Sequence, residues 1–225
     1  MRMILVGGEY AGTTSVAIEY CRLAREQLGI DLGSIHDHWK IPYTVTHYPD
    51  EITEDEADRF LALSTRQQEA WQRHNLYYHT LAAVGAPRDQ IIVGFYIEDT
   101  IYADLYYRYG GPGEAGDRAV HAPAIEKRLV ALAPETVLVH VWARPEVIRR
   151  RAVDTPHRRQ VVPDADVEMV QERFAGAVAA SRIAHKLELD TSDTAAGQAA
   201  QTLLERMEPL LTEDDRARRG ALGSA

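Results

Sequence analysis

GGEYAGTTS, residues 7–15, follows directly on the apolar run MILV at 3–6. Gly7 and Gly12 bracket four residues, and two threonines follow. An apolar strand that enters a glycine turn and leaves it as a helix is the frame of a phosphate-binding loop. Glycines let successive backbone N–H groups point inward, and the helix adds its positive end. Gly7, Gly8, Gly12, Thr13, Thr14 and Ser15 are therefore the candidate nucleotide-binding residues, with Thr14 where a hydroxyl would ligate Mg²⁺. Thr13 stands where such a loop has its lysine. A charge-assisted hydrogen bond is worth about 1.5–3 kcal/mol, so this loss predicts affinity weakened roughly 10- to 100-fold unless an arginine substitutes. A plain glycine turn is the other reading of the stretch.

Outward from the loop, short apolar runs alternate with helical patterns. Val16, Ala17, Tyr20, Leu23, Ala24 and Leu28 share one face of a helix over 14–28, which Gly29 ends. Residues 30–36 form a second strand. Thr53 with Glu56, and Ser64 with Gln67, are capping boxes that open helices through about Leu63 and Val84. IIVGFYI at 91–97 reads as a third strand covered on both faces, followed by a tyrosine-rich helix. TVLVHVW (136–142) and LELD (187–190) are strands four and five, with helices around 123–133, 145–153, 164–185 and 194–211. Strands separated by helices imply an α/β fold with a parallel sheet. In such sheets ligands sit beyond the carboxyl ends of the strands, here GGEYAGTTS, HDHW, FYIED, WARP and DTSD.

The chain has 225 residues, a net charge of −9 and one cysteine. That balance speaks against general nucleic-acid binding, which wants a basic face. Cys21 falls among Ala17, Tyr20 and Ala24 at helical spacing and reads as a packing thiol. No apolar run approaches the ~18 residues of a membrane span, and the N-terminus lacks a signal pattern, so the expected place is the cytoplasm. The charged tail, residues 213–225, is expected to fray.

Over most of its length the chain resembles the nucleoside and nucleotide kinases of the P-loop superfamily, the thymidylate-kinase-like enzymes in particular. The resemblance is carried by the loop, by TVLVHVWARPEVIRRR with VDTPHRRQVVP after it, and by ASRIAHKLELDTSD. It implies a single P-loop NTPase-like domain over 1–212, a three-layer sandwich with a five-stranded parallel sheet in the order 2-3-1-4-5. It also implies a short lid near 152–163 bearing Arg158 and Arg159, and a final loop near an adenine. ATP and Mg²⁺ would be the cofactors and a hydroxylated small molecule the acceptor. Dimers are common in that group, and the sequence leaves the oligomeric state open.

Phosphoryl transfer needs positive charge about the transferring group. Arg151, Arg158 and Arg159 are preferred over Arg149 and Arg150, since three consecutive helical arginines cannot all face one site. The resembled enzymes end strand three with an acid, whereas this chain has Gly94-Phe95-Tyr96, and its first acids are Glu98 and Asp99. These two could hold Mg²⁺ through water or orient an acceptor hydroxyl, or Asp99 could cap the tyrosine helix. Asp37 could accept a substrate hydroxyl or reach Mg²⁺ through water. His36 and His38 alternate on one strand face, and His38 is a candidate acceptor-binding residue. Lys40 is the only lysine near a strand end. On the following helix Arg73 is the candidate for an anionic acceptor. Trp71 and Tyr78 are expected to pack in the core, and Tyr102, Tyr106 and Tyr109 to pack with their hydroxyls at the surface. A kinase, a nucleotide-binding regulatory module without turnover and a sulfotransferase, suggested by GTTS, all remain open.

Overall fold

A computed structural model describes residues 1–38, 44–46, 53–85, 89–114 and 116–222. Five strands run parallel: β1 (Arg2–Val6), β2 (Ile35–Asp37), β4 (Gln90–Val93), β5 (Val137–Trp142) and β6 (His185–Asp190). Their spatial order is β2-β4-β1-β5-β6, which among the five parallel strands is the expected 2-3-1-4-5. A short strand not foreseen from sequence, β3 (Thr44–Thr46), closes the edge antiparallel to β2.

The alternation of β1 explains its unbroken apolar run. Met3 and Leu5 face one core with α1 (Thr13–Leu23) and α8 (Ala196–Met207). Ile4 and Val6 face a second core with α4 (Phe95–Tyr102), α5 (Arg118–Leu132) and α7 (Val167–Ala180). Both faces of a parallel strand are covered, so no position on it can be polar without cost. The helices α2 (Glu54–Leu61), α3 (Thr65–Gly85) and α6 (Pro145–Asp154) complete the described chain together with α9 (Glu213–Leu222). Both capping boxes form: Thr53 pairs reciprocally with Glu56, and Ser64 with Gln67.

Three expectations are corrected. The strand over 91–97 stops at Val93, because Gly94 turns the chain at φ +79° and Phe95 follows at φ +59°. The apolar FYI is therefore the first turn of α4, which buries it as fully as a strand would. The tail is helical over 213–222. Its Asp215 is buried, and Arg218 bridges Asp215 and Asp89 at 2.5 Å each. Trp71 and Tyr78 are 54% and 58% exposed, so neither is core. The aromatics that fill the core are instead Tyr20, Phe95, Tyr102 and Phe174. Cys21 packs half-buried at the edge of the first core, where burial pushes its thiol up to about 11.

Candidate functional site

The loop between β1 and α1 has the geometry its glycines imply. A side chain at Gly7 would meet the Val141 carbonyl of β5 at 2.1 Å, so only glycine lets the two strands' ends close up. Gly12 sits at φ +96°, in the left-handed region, and caps α1 without any side-chain acceptor. The first amides of α1 are thus left for an anion, as at other helix N-termini. A side chain at Gly8 would meet only an ordinary contact with Val170, so its glycine is not demanded by space. Tyr10, a non-glycine residue, is held at φ +65°, and such strain collects at functional loops.

Above the loop lies a cavity of about 500 Å³. Its walls are the loop itself with Thr14 and Ser15, Glu98 of α4, Arg151 of α6, His157 beyond α6, and the 191–196 turn after β6. This is within the size range of small-molecule sites, and it lies at the carboxyl ends of the strands.

Thr14 donates its hydroxyl to Asp37 Oδ2 at 2.8 Å, joining the first turn of α1 to the end of β2. Asp37 is 1% exposed and registers beside Val93 of β4. Thr13, in the lysine position, is buried, with its methyl 3.2 Å from where a Gly7 side chain would stand.

Of the nominated arginines, Arg151 is at the cavity, but its guanidinium holds the loop together. Nη1 donates to the carbonyls of Tyr10 and Ala11, at 3.0 and 3.4 Å, and to Thr191 Oγ1 at 3.1 Å. Nη2 donates to the Thr191 carbonyl at 2.6 Å. Burial draws Arg151 down from the ordinary arginine range, with Arg150 adding to it. Arg158 and Arg159 both pair with Asp58 of α2, at 3.7 and 2.8 Å. Arg149 pairs with Asp164 and Glu168 on the surface.

The neighbouring acids Glu98 and Asp99 part company. Glu98 faces the cavity. Asp99 turns the other way, to Arg118 Nε at 2.5 Å and the Tyr109 hydroxyl at 3.3 Å. Asp99 is also mid-helix, so Gly94 and not Asp99 occupies the cap. Arg118 is 2% exposed and bridges onward to Glu69, which also accepts from Arg73. Arg73 therefore belongs to this ion network, and burial raises Asp99 despite Arg118. Tyr102 and Tyr109 keep their hydroxyls inside, on the Glu9 amide and Asp99 respectively, which corrects the surface expectation for those two.

His38 is buried against His79 of α3 and Phe95, not open to an acceptor. His79 Nε2 lies 2.8 Å from His36 Nδ1. Among the described residues no group of three metal-ligating side chains is assembled. Lys40 lies outside the described residues.

Glu9 and Tyr10, the two inner variable positions of the loop, are not among the site residues that the sequence nominates. Glu9 Oε2 accepts the amides of Val161 and Val162 at 2.8 and 2.9 Å, and Oε1 lies 2.7 Å from His157 Nδ1. Tyr10 stacks on His157 at 4.1 Å and accepts its amide at 2.9 Å. The loop thus fastens the 157–162 segment across the cavity. No periodicity marks such a contact, because its partners are about 150 residues apart.

No family model matches the chain, and no curated protein does. Among solved structures it is similar to a sugar kinase from Janibacter sp., at 16% identity and a TM-score of 0.46 over 95% of this chain and 99% of that one. It is similar to a thymidylate kinase from Candida albicans at 12% identity and a TM-score of 0.49, covering 92% and 91%. A third likeness is to an uncharacterized protein from Eubacterium ventriosum, at 10% identity and a TM-score of 0.42, covering 92% and 99%. With likenesses this distant, function must be read from the site itself.

Proposed function

We propose that the chain binds a nucleoside triphosphate in the loop cavity and acts as a phosphotransferase toward a hydroxylated small molecule. The observation that carries this reading is the Thr14–Asp37 hydrogen bond at the mouth of an uncapped helix behind a glycine turn. The amides of α1 would receive phosphate oxygens, and the 191–196 turn would border the base or sugar.

Mg²⁺ fits the donor set present. It is commonly bound through one or two side-chain oxygens and the phosphates themselves, not through an all-protein cage. Thr14 would hold it, with Asp37 fixing the hydroxyl so that its lone pairs face the cavity. The ion would supply charge neutralisation between the phosphates. Arg151 keeps the loop carbonyls turned away from the phosphate side, a positioning role. Glu9 and Tyr10 hold the 157–162 segment over the site, which limits water there.

A second reading, binding without turnover, draws on the buried Thr13 and on Arg151, whose donors are committed to carbonyls and Thr191. A thermal-shift series with ATP, ADP and 3′-phosphoadenosine 5′-phosphosulfate, each with and without Mg²⁺, tests both readings, since a ligand of the folded state raises Tm. ATP stabilisation with release of ADP on adding hydroxylated acceptors supports the phosphotransferase. Stabilisation without ADP release supports the binding module. No shift with millimolar ATP sinks both, and a shift with the sulfate donor alone transfers the site to sulfuryl chemistry.

A further inference from the structure

We propose that His157, aimed by Glu9, is the residue that meets a bound phosphate from the 157–162 segment, in place of the lysine that the loop lacks. This rests on the nucleotide reading above. Among the described residues that line the cavity, only Arg151 and His157 are basic. Arg151 spends its Nη donors on the Tyr10 and Ala11 carbonyls and on Thr191. Arg158 and Arg159, next along the chain, are turned to Asp58. His157 stands on the cavity wall with its side chain 35% exposed, where a ligand can reach it.

Three contacts fix the ring, all of them from Glu9 and Tyr10. Nδ1 lies 2.7 Å from Glu9 Oε1, the ring stacks on Tyr10 at 4.1 Å and 13°, and the backbone amide donates to the Tyr10 hydroxyl at 2.9 Å. A side chain on a connecting segment usually samples several rotamers. This one has its plane and its edge set before any ligand arrives, which lowers the ordering cost of binding. Glu9 also decides what each ring nitrogen does. Its Oε2 accepts the amides of Val161 and Val162 and its side chain is wholly buried, so Oε1 is placed to accept from Nδ1. The hydrogen bond at one nitrogen sets the role of the other, and Nε2 lies across the ring from Glu9. A phosphate oxygen at Nε2 brackets the imidazole with negative charge on both edges, and a ring so placed holds a proton on each nitrogen. The other titratable groups about it are Tyr10 of the loop, Glu98 of α4 and Arg151 of α6, which share the cavity wall. The pair differs from a lysine in one respect: its charge, and with it the affinity, depends on pH.

The experiment is calorimetric titration of ATP with Mg²⁺ into the full chain between pH 6.5 and pH 8.5, for wild type, His157→Ala, His157→Arg and Glu9→Gln. Wild type should bind about tenfold more weakly at the upper pH. His157→Ala should be about tenfold weaker at pH 6.5 and bind alike across the range. His157→Arg, charged throughout, should keep its pH 6.5 affinity at pH 8.5. Glu9 acts here as a positioning residue, and in Glu9→Gln the fall should set in at lower pH, which loss of support alone would not produce. Equal affinity and an equal pH profile in wild type and His157→Ala overturn this inference and leave the nucleotide reading standing. So does a loss in His157→Ala of the same size at every pH beside a wild type that shows no fall, which marks the histidine as structural. Absence of ATP binding by wild type overturns the nucleotide reading as well. Imidazole nitrogen NMR of the wild type, with the His157 signals identified by their absence in His157→Arg, needs no alanine variant that folds. ATP should move Nε2 to the protonated position, and an unmoved signal overturns the assignment.

Discussion

The Thr14 hydroxyl rests on Asp37 Oδ2 at 2.8 Å, although the two residues lie 23 apart in sequence and on different elements. β2 and β1 are not neighbours: β4 runs between them, and Asp37 pairs level with its last residue, Val93. Removing either partner should act on the metal-dependent part of nucleotide binding. Thr14→Ala and Asp37→Asn are each expected to shrink the affinity gain from Mg²⁺ by about tenfold, in keeping with a bond to a charged group. Titrations of ATP with and without Mg²⁺ measure it, and an unchanged Mg²⁺ increment in both variants would rule the pair out as the ion's support.

Thr13→Lys puts back a charged donor where the loop has a buried hydroxyl. A charge-assisted bond of about 1.5–3 kcal/mol corresponds to an affinity gain of roughly 10- to 100-fold for ATP. The smaller end is expected here, because the Thr13 methyl packs at Gly7 and a lysine must leave that packing. Calorimetry of the single variant decides it.

Acid should loosen the β2 end of the sheet. Burial depresses His36, His38 and His79, the last to about 4, with His36 lowering the other two further and His79 adding to the effect on His38. Folded-state values below the unfolded value of about 6.5 mean that the unfolded chain binds more protons. Stability contributed by the neutral rings is then complete above about 6.5 and falls as pH drops below it, for His79 down to about 4, by up to about 1.4 kcal/mol per pH unit from that ring. Urea unfolding at pH 7.5 and pH 5 should show the loss, and His79→Gln should flatten it. Equal slopes in wild type and variant would contradict the assignment.

Arg118 neutralises two buried acids, Asp99 and Glu69, from a position only 2% exposed. Replacing it with methionine leaves Asp99 without its cation and Glu69 with Arg73 alone. The expected cost is about 3–5 kcal/mol in chemical denaturation, the range for breaking a buried pair from one side. A loss under about 1 kcal/mol would show the acids to be neutral in the folded chain.

Glu9→Gln should free the segment it fastens. One oxygen remains to accept the amides of Val161 and Val162, but the charge that strengthens both bonds and the contact to His157 is gone. Hydrogen exchange at Val161 and Val162 should quicken about tenfold while the strands stay protected. Exchange there unchanged from wild type would assign the closure to the Tyr10–His157 stack or to Asp58 with Arg158 and Arg159.

Much of the fold could be read from local pattern. The apolar runs, Gly12 and Gly29, and the boxes Thr53/Glu56 and Ser64/Gln67 each act within a few residues, so their physics is written in adjacent letters. FYI misled for the same reason: an apolar triplet is buried alike in a strand and in a core helix, and only the positive φ of Gly94 and Phe95 separates them. Trp71 misled because bulk suggests burial, while α3 turns that face outward over Phe60.

The sequence by itself determined the glycine loop, the alternation of strands and helices, and the loss of lysine at Thr13, because each depends on residue type and short spacing. Tertiary structure alone decided which charges meet. It turned Glu98 to the cavity and Asp99 to Arg118, although they are adjacent, because successive helical residues point about 100° apart. It set Arg151 on the loop's carbonyls, and Arg158 and Arg159 against Asp58, across separations of 140 and about 100 residues. Such pairings follow from how the elements pack, and no local pattern encodes them.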